Sequence, residues 1–288
     1  MASTNNYPKK SFQEKEQQRI EYVNKATREV TQDAKSFNDF LEVQSHFERY
    51  SLNNNLLIAS QRPDASRIKS MEQWNADGFR VKKGSKKIWI YEPEQRVVGD
   101  KTYTNYKAKS MFDIKDIENA KPTEKVNYPL EKVLEAIVSE KDVQMITLQS
   151  YPENKAEGMY YDPEKHCIFA KQGMPTQDVF VYLTMALAHA EMAKDDSEYI
   201  PADHEFEAKC AANIMCRKYD VPTDLVKIAE LPEGFKTMSE KEIRASLSDV
   251  NKSVKKFSKD IYHSLVKGKE ENEPVKETEV RGDVDERS

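Results

Sequence analysis

Between Arg80 and Tyr91 the chain is basic and holds no acid. Arg80, Lys82, Lys83, Lys86 and Lys87 are followed by Trp89 and Tyr91, with Trp74 just before them. Cations grip phosphates and aromatic faces stack unpaired bases, so this mixture has the chemistry for single-stranded nucleic acid. The same residues carry a plain structural reading, since lysines at a turn are commonly solvated and tryptophan is commonly core. A zinc hydrolase would need a helix bearing His-Glu-x-x-His, two ligands on one face with a general base between them. The sequence contains no such motif. Its cysteines, Cys167, Cys210 and Cys216, are odd in number and form no Cys-x-x-Cys pair. That argues against a disulfide framework or a zinc knuckle, and suits a reducing cytoplasm. Nothing local supports a Cys-His hydrolase built on any of the three.

The 288 residues give room for two ordinary domains or one large one, and the composition is 38% hydrophobic and 33% charged. No stretch approaches the roughly 18 apolar residues of a membrane span. Met1 to Lys10 lacks the apolar run of a secretory signal. The net charge of −5 conceals an asymmetry: residues 1–122 hold 22 Lys and Arg against 17 Asp and Glu, and the remainder 23 against 33. A basic front on an acidic back directs any polyanion to the front, although such imbalance also occurs without consequence.

The elements that would position these residues follow from periodicity. Phe12 to Tyr50 repeats its apolar residues at helical spacing without Gly or Pro, giving two helices with a break near Lys35 to Asn38. A third helix runs from about Ser51 to Gln61 and stops at Arg62-Pro63-Asp64. Ser70 caps a short helix to Ala76. Phe79, Val81, Ile88 and Ile90 then alternate around Lys83-Gly84-Ser85-Lys86, the pattern of a β-hairpin, and Tyr103 to Ile114 supplies another strand. Pro122 marks a boundary, Leu130 to Ser139 is an amphipathic helix, and Met159 to Ala170 reads as a hairpin. Helices follow over about Thr176 to Lys194, Asp203 to Tyr219 and Ser239 to Val266, and the polar tail from Lys267 to Ser288 reads as disordered.

Three stretches in the front half carry a resemblance. YSLNNNLLIASQRPDA (Tyr50 to Ala65), MEQWNADGFRVKKGSKK (Met71 to Lys87) and Met111-Phe112-Asp113-Ile114 resemble, in order, the N-terminal domain of ArdC-type antirestriction proteins and their LtrC-like relatives. The resemblance implies a small α/β unit that binds single-stranded DNA, in proteins carried on plasmids and conjugative elements. By position it places Tyr50, Asn53, Asn54 and Asn55 on a signature helix. It places Trp74, Val81, Lys83, Gly84 and Lys86 on the hairpin motif. The asparagine amides would donate to bases, or brace the hairpin as buried ties.

The back half resembles the zincin-like part of the same relatives. GMYYDPEKHCIFA (Gly158 to Ala170) is similar to the hairpin before their metal helix, and Met185 to Ala190, MALAHA, stands where they carry HEIAHA or HELAHA. In that register Met185 replaces the first histidine, Ala186 replaces the catalytic glutamate, only His189 is kept, and Glu205 takes the third-ligand position. A thioether is a poor zinc ligand and a methyl group cannot take a proton from water. The resemblance therefore implies zinc in the relatives but no cofactor in this chain. His189 is left as a core histidine, as a ligand of an atypical metal together with Glu205, His204, Met185 or a Cys, or as part of a groove for protein or peptide.

These readings give an α+β protein. An N-terminal ArdC-type α/β domain over residues 1–122, with helices and a small antiparallel sheet, precedes a mostly helical, degenerate zincin-like domain over 123–238. A C-terminal amphipathic helix over 239–266 and a tail over 267–288 complete it. The function that follows is a non-catalytic single-stranded-DNA-binding accessory protein of a plasmid, conjugative element or phage, acting in antirestriction, transfer or replication. Its partners would be single-stranded DNA and proteins of the transfer or replication machinery, with no membrane. Two alternatives stay open: a metallopeptidase with an atypical metal site, and an interaction scaffold that binds no DNA.

Overall fold

A computed structural model describes residues 11–98, 101–121, 128–139, 143–148 and 158–270. The stretch read as lacking a signal, Pro122 and most of the polar tail lie outside them. Helix α1 spans Phe12–Val30 and opens on a capping box, in which the Ser11 side chain accepts from the Glu14 amide while Glu14 accepts from Ser11. Helix α2 spans Ala34–His46. The break expected near Lys35 to Asn38 falls earlier, at Thr31 to Asp33, because the Asp33 carboxylate caps the second helix by accepting from the Ser36 amide at 2.7 Å. Ser51 caps α3 (Leu52–Gln61), and Ser70 caps α4 (Met71–Ala76) in a second capping box.

Two three-stranded sheets follow. In the first, β1 (Ile68–Lys69), β2 (Ile88–Val98) and β3 (Lys101–Asp113) lie in the order β1-β3-β2, all antiparallel. The hairpin expected across Gly84 needs correction. A turn does form there, with Gly84 at φ +87 and the Ser85 amide reaching the Lys82 carbonyl. Its arms do not pair with each other. Val81 bridges Ile117, and the Lys82 amide donates to the Asp116 carbonyl at 2.8 Å. The arm at Ile88 and Ile90 is taken instead by β3, whose ladder with β2 runs from Ile88↔Met111 to Val98↔Lys101. A long two-sided ladder outcompetes the short arm before Gly84.

The second sheet comprises β4 (Gln144–Leu148), β5 (Met159–Asp162) and β6 (Cys167–Lys171). The expected β5–β6 hairpin is present, and β4, which periodicity does not reveal, joins β6 in parallel. Helix α5 (Leu130–Ser139) has the bounds read from the sequence. Helices α6 (Thr176–Met192), α7 (Glu205–Lys218) and α8 (Glu240–Glu270) complete the described chain, α8 running on into the segment read as tail.

One apolar core joins the helices on either side of residue 122, from Val23 to Ile261. Phe37 of α2 lies 5.5 Å, ring to ring, from Phe206 and 6.4 Å from Phe235, and Arg217 of α7 donates to Glu42 of α2 at 2.6 Å. A second, smaller core gathers Trp74, Phe112, Ile114 and Ile117 beneath the Gly84 turn. Among the described residues no helix is long and apolar enough to cross a membrane.

Candidate functional site

The basic segment is solvent-facing. Arg80, Lys82, Lys83, Lys86 and Lys87 are all exposed, and none forms an ion pair with a described acid. Lys82 donates to the Lys115 carbonyl at 2.8 Å, which holds its chain without neutralising it. Two acids near the turn are already engaged: Arg62 contacts both Asp64 and Asp116, and Lys115 binds Asp64 at 2.7 Å. The turn is therefore a cluster of uncompensated positive charge.

The two tryptophans separate. Trp89 is 47% exposed, with the Lys87 ammonium 5.8 Å from its ring centre. Trp74 is 1% exposed, and its indole donates to the Phe112 carbonyl at 2.9 Å. Its inclusion among nucleic-acid-binding residues is therefore corrected: a ring enclosed on both faces cannot stack on a base, and it serves to anchor the second core.

Strand register assembles the rest of the face. Alternation puts Ile88 and Ile90 into the core and turns Trp89 and Tyr91 to the opposite face, across from Ser110 and Ala108 on β3. Tyr91 is half-buried against the main core, which leaves Trp89 as the more open ring. Tyr106, also exposed, lies on the same face, and the Arg19 guanidinium of α1 sits 4.4 Å from its ring centre. Burial makes the Tyr91 phenol less acidic, pushing its pKa up and keeping the hydroxyl protonated. Neither Tyr106 nor Arg19 is singled out by sequence reading; only the β2–β3 register reveals them.

The asparagine triplet divides by burial. Asn54 donates its amide to the Tyr91 carbonyl and accepts from the Tyr91 amide, both at 2.9 Å. Gln61, two turns along α3, does the same with Trp89, again at 2.9 Å each way. Two side-chain amides thus act as a substitute strand, satisfying the outer edge of β2 and fixing the aromatic residues in place. Asn54 is a brace, not a base reader. Asn55 is wholly buried, and neither side-chain polar atom has a hydrogen-bond partner, so it too is withdrawn from direct DNA contact. Asn53 and Tyr50 are half-buried, and Tyr50 packs edge-on against Phe47.

In the back half, α6 and α7 bring His189 and Glu205 together, as the resemblance implies. The His189 Nε2 lies 3.2 Å from a Glu205 carboxylate oxygen and its Nδ1 lies 2.7 Å from the Tyr199 hydroxyl. Tyr199 stacks on His204 with centroids 4.7 Å apart, and burial followed by the charges of Glu207 and Glu205 holds its hydroxyl protonated. Tyr199 is the residue that sequence reading misses. Met185 is half-buried and Ala186 is fully buried in the core. The donor set does not fit a catalytic metal. One imidazole and one carboxylate face each other, and no group of three or more His, Cys, Asp or Glu side chains able to hold an ion occurs among the described residues.

A small antiparallel sheet beside an exposed cationic turn, packed on a helical half with a His–Glu pair between two helices, defines an α+β protein. Residues 10–135 match the family model for the N-terminal domain of anti-restriction factor ArdC, so the front of the chain carries an ArdC-type domain. Its fold is similar to the Mn(II)-bound crystal structure of antirestriction ArdC protein from the R388 plasmid. That match has a TM-score of 0.50 and 14% identity, over 75% of this chain and 84% of the other. The metal-free structure of the same protein matches with a TM-score of 0.44 and 12% identity, over 74% and 86% of the two chains. No curated protein matches in sequence.

Proposed function

We propose that this chain is a non-catalytic, cytoplasmic single-stranded-DNA-binding accessory protein of a plasmid, conjugative element or phage, acting in antirestriction, DNA transfer or replication. The observation that carries this reading is the Lys87–Trp89 pair at the edge of an uncompensated cationic turn, continuous with Tyr91 and Tyr106 on one sheet face. Phosphates would lie along Arg80, Lys82, Lys83, Lys86 and Lys87 while bases stack on Trp89 and its neighbours. The ArdC-type front domain supports the same assignment. The back half would act as a scaffold for proteins of the element's transfer or replication machinery. The His189–Glu205 pair gives a peptidase reading no base: Ala186 stands where the catalytic glutamate would be.

Fluorescence anisotropy of labelled single-stranded and duplex oligonucleotides across a salt series tests the proposal. Five phosphate contacts at about −0.7 each give a log–log slope near −3.5, about a hundredfold loss between about 50 and about 200 mM salt. Single strands should be preferred. Absence of binding at the low-salt end would leave the interaction scaffold as the correct reading.

A further inference from the structure

A second cationic site lies away from the sheet. The C-terminal ends of α2 and α7 meet the last turns of α8 around a cleft of about 630 Å3, within the roughly 300–1,000 Å3 range of small-molecule sites. Arg49, Lys218, Lys255 and Lys259 line it, with Tyr128 and Tyr262, and Glu48 is the only acid among the described lining residues. That carboxylate is already taken by Lys218 at 2.8 Å, and the same ammonium donates to the Ser258 hydroxyl at 2.9 Å.

The lysines of α8 show a sharp division. Lys252 pairs with Asp249 and Lys256 with Asp260 on the same helix. Lys255 and Lys259, which line the cleft, pair with no described acid, nor does Arg49 opposite them. Lys255 is moreover half-buried. Like charges one helical turn apart repel, and an anion entering the cleft would relieve that repulsion. It is also out of keeping with its surroundings, because residues 123–288 hold 33 acids against 23 bases. Tyr262, one turn beyond Lys259 and 58% exposed, offers an open ring beside these cations.

We infer that this cleft binds a nucleotide, its phosphate held by Arg49, Lys255 and Lys259 and its base laid against Tyr262. The cations meet the phosphate as charge-assisted donors, and the guanidinium can engage two oxygens at once. The tyrosine ring adds stacking, which distinguishes a nucleotide from a bare anion. The site is independent of the β2–β3 face and stands whether or not that face binds DNA. The ligand is either a free nucleotide or one unit of a strand.

The test is titration of the full chain with a fluorescent methylanthraniloyl ADP, with unlabelled ADP and inorganic phosphate as competitors. Binding should saturate below about 1 mM, and the Lys255→Glu, Lys259→Glu double variant should weaken it about tenfold or more. Tyr262→Ala should weaken ADP while leaving competition by phosphate unchanged. Lys83→Glu with Lys86→Glu, on the Gly84 turn, should not affect ADP. A single-stranded oligonucleotide added to that front variant then identifies the source: displacement of ADP assigns the cleft to a strand unit, and none assigns it to free nucleotide. No saturable binding by about 1 mM, or undiminished affinity in the double variant with an unchanged circular dichroism spectrum, would overturn the inference. Should the double variant misfold, Arg49→Glu, an exposed position, decides the same question.

Discussion

The two tryptophans should fail in opposite ways when truncated. Trp89 is 47% exposed and held through its backbone by Gln61, contacts that survive loss of the ring. Trp89→Ala should therefore change stability by no more than about 0.5 kcal/mol, while removing a stacking platform valued at about 1–3 kcal/mol per base. That energy corresponds to a loss in single-strand affinity of roughly 5- to 150-fold. Because an indole carries no charge, the salt slope should stay near its original value. Lys86→Ala with Lys87→Ala should do the reverse, flattening the slope by about 1.4 through loss of two phosphate contacts. Trp74 is 1% exposed and anchors a small core through its bond to Phe112. Its replacement by alanine should cost about 3–5 kcal/mol of stability. Anisotropy across a salt series, paired with urea denaturation of each variant, reads all three quantities. Wild-type affinity in Trp89→Ala would refute the stacking face. A slope that moves with the indole as much as with the lysines would refute the division of labour.

Further expectations concern the ties that hold the fold. Asn54→Asp keeps the side-chain shape but removes the donor to the Tyr91 carbonyl, and should lower stability by about 1–3 kcal/mol in urea denaturation; no loss would mean the β2 edge needs no brace. The Glu42 carboxyl is held down to about 2, first by its hydrogen bond with His46 and then by Arg217, against 4.5 when unperturbed. A depressed folded value contributes stability above pH 4.5 that is lost as pH falls toward 2, so Glu42→Gln should flatten the acid limb of the urea midpoint over that window. His189→Ala should destabilise the chain by about 1–3 kcal/mol, since it leaves the Tyr199 hydroxyl without its partner, and should leave DNA affinity intact. Equimolar zinc in the purified protein, lost in that variant, would instead establish a working metal site.

Much of the helical scaffold was legible because its signals are local. Ser70 caps the helix expected of it, and the bounds of α5 follow from its amphipathic stripe alone. Strand pairing was not, because partner choice is decided at a distance. The Gly84 turn has the residue types of a hairpin, yet the strand at Ile88 pairs with residues that follow it by more than a dozen positions. The same holds for the site. The cationic run was readable as charge, but which tryptophan faces solvent depended on Phe112, a residue far along the chain. The Asn54 and Gln61 amides became recognisable as braces only once α3 lay against the edge of β2.

The α6 helix illustrates how a catalytic-looking histidine persists on packing grounds. A metal at His189 would have to take Nε2 from Glu205, and Tyr199 already occupies Nδ1. Glu205 is largely exposed and could turn to join a metal, which brings the donors to two. The helix face one turn earlier adds little, since Met185 offers only a thioether and Ala186 is enclosed in the core. A glutamate at 186 would place a charge where the alanine methyl packs at 1% exposure, so this position belongs to the hydrophobic interior. The hydrogen bonds of His189 to a buried tyrosine and to a glutamate of the neighbouring helix account for its presence without any hydrolytic step. They clamp α6 to α7 at the point where those helices support the rest of the core.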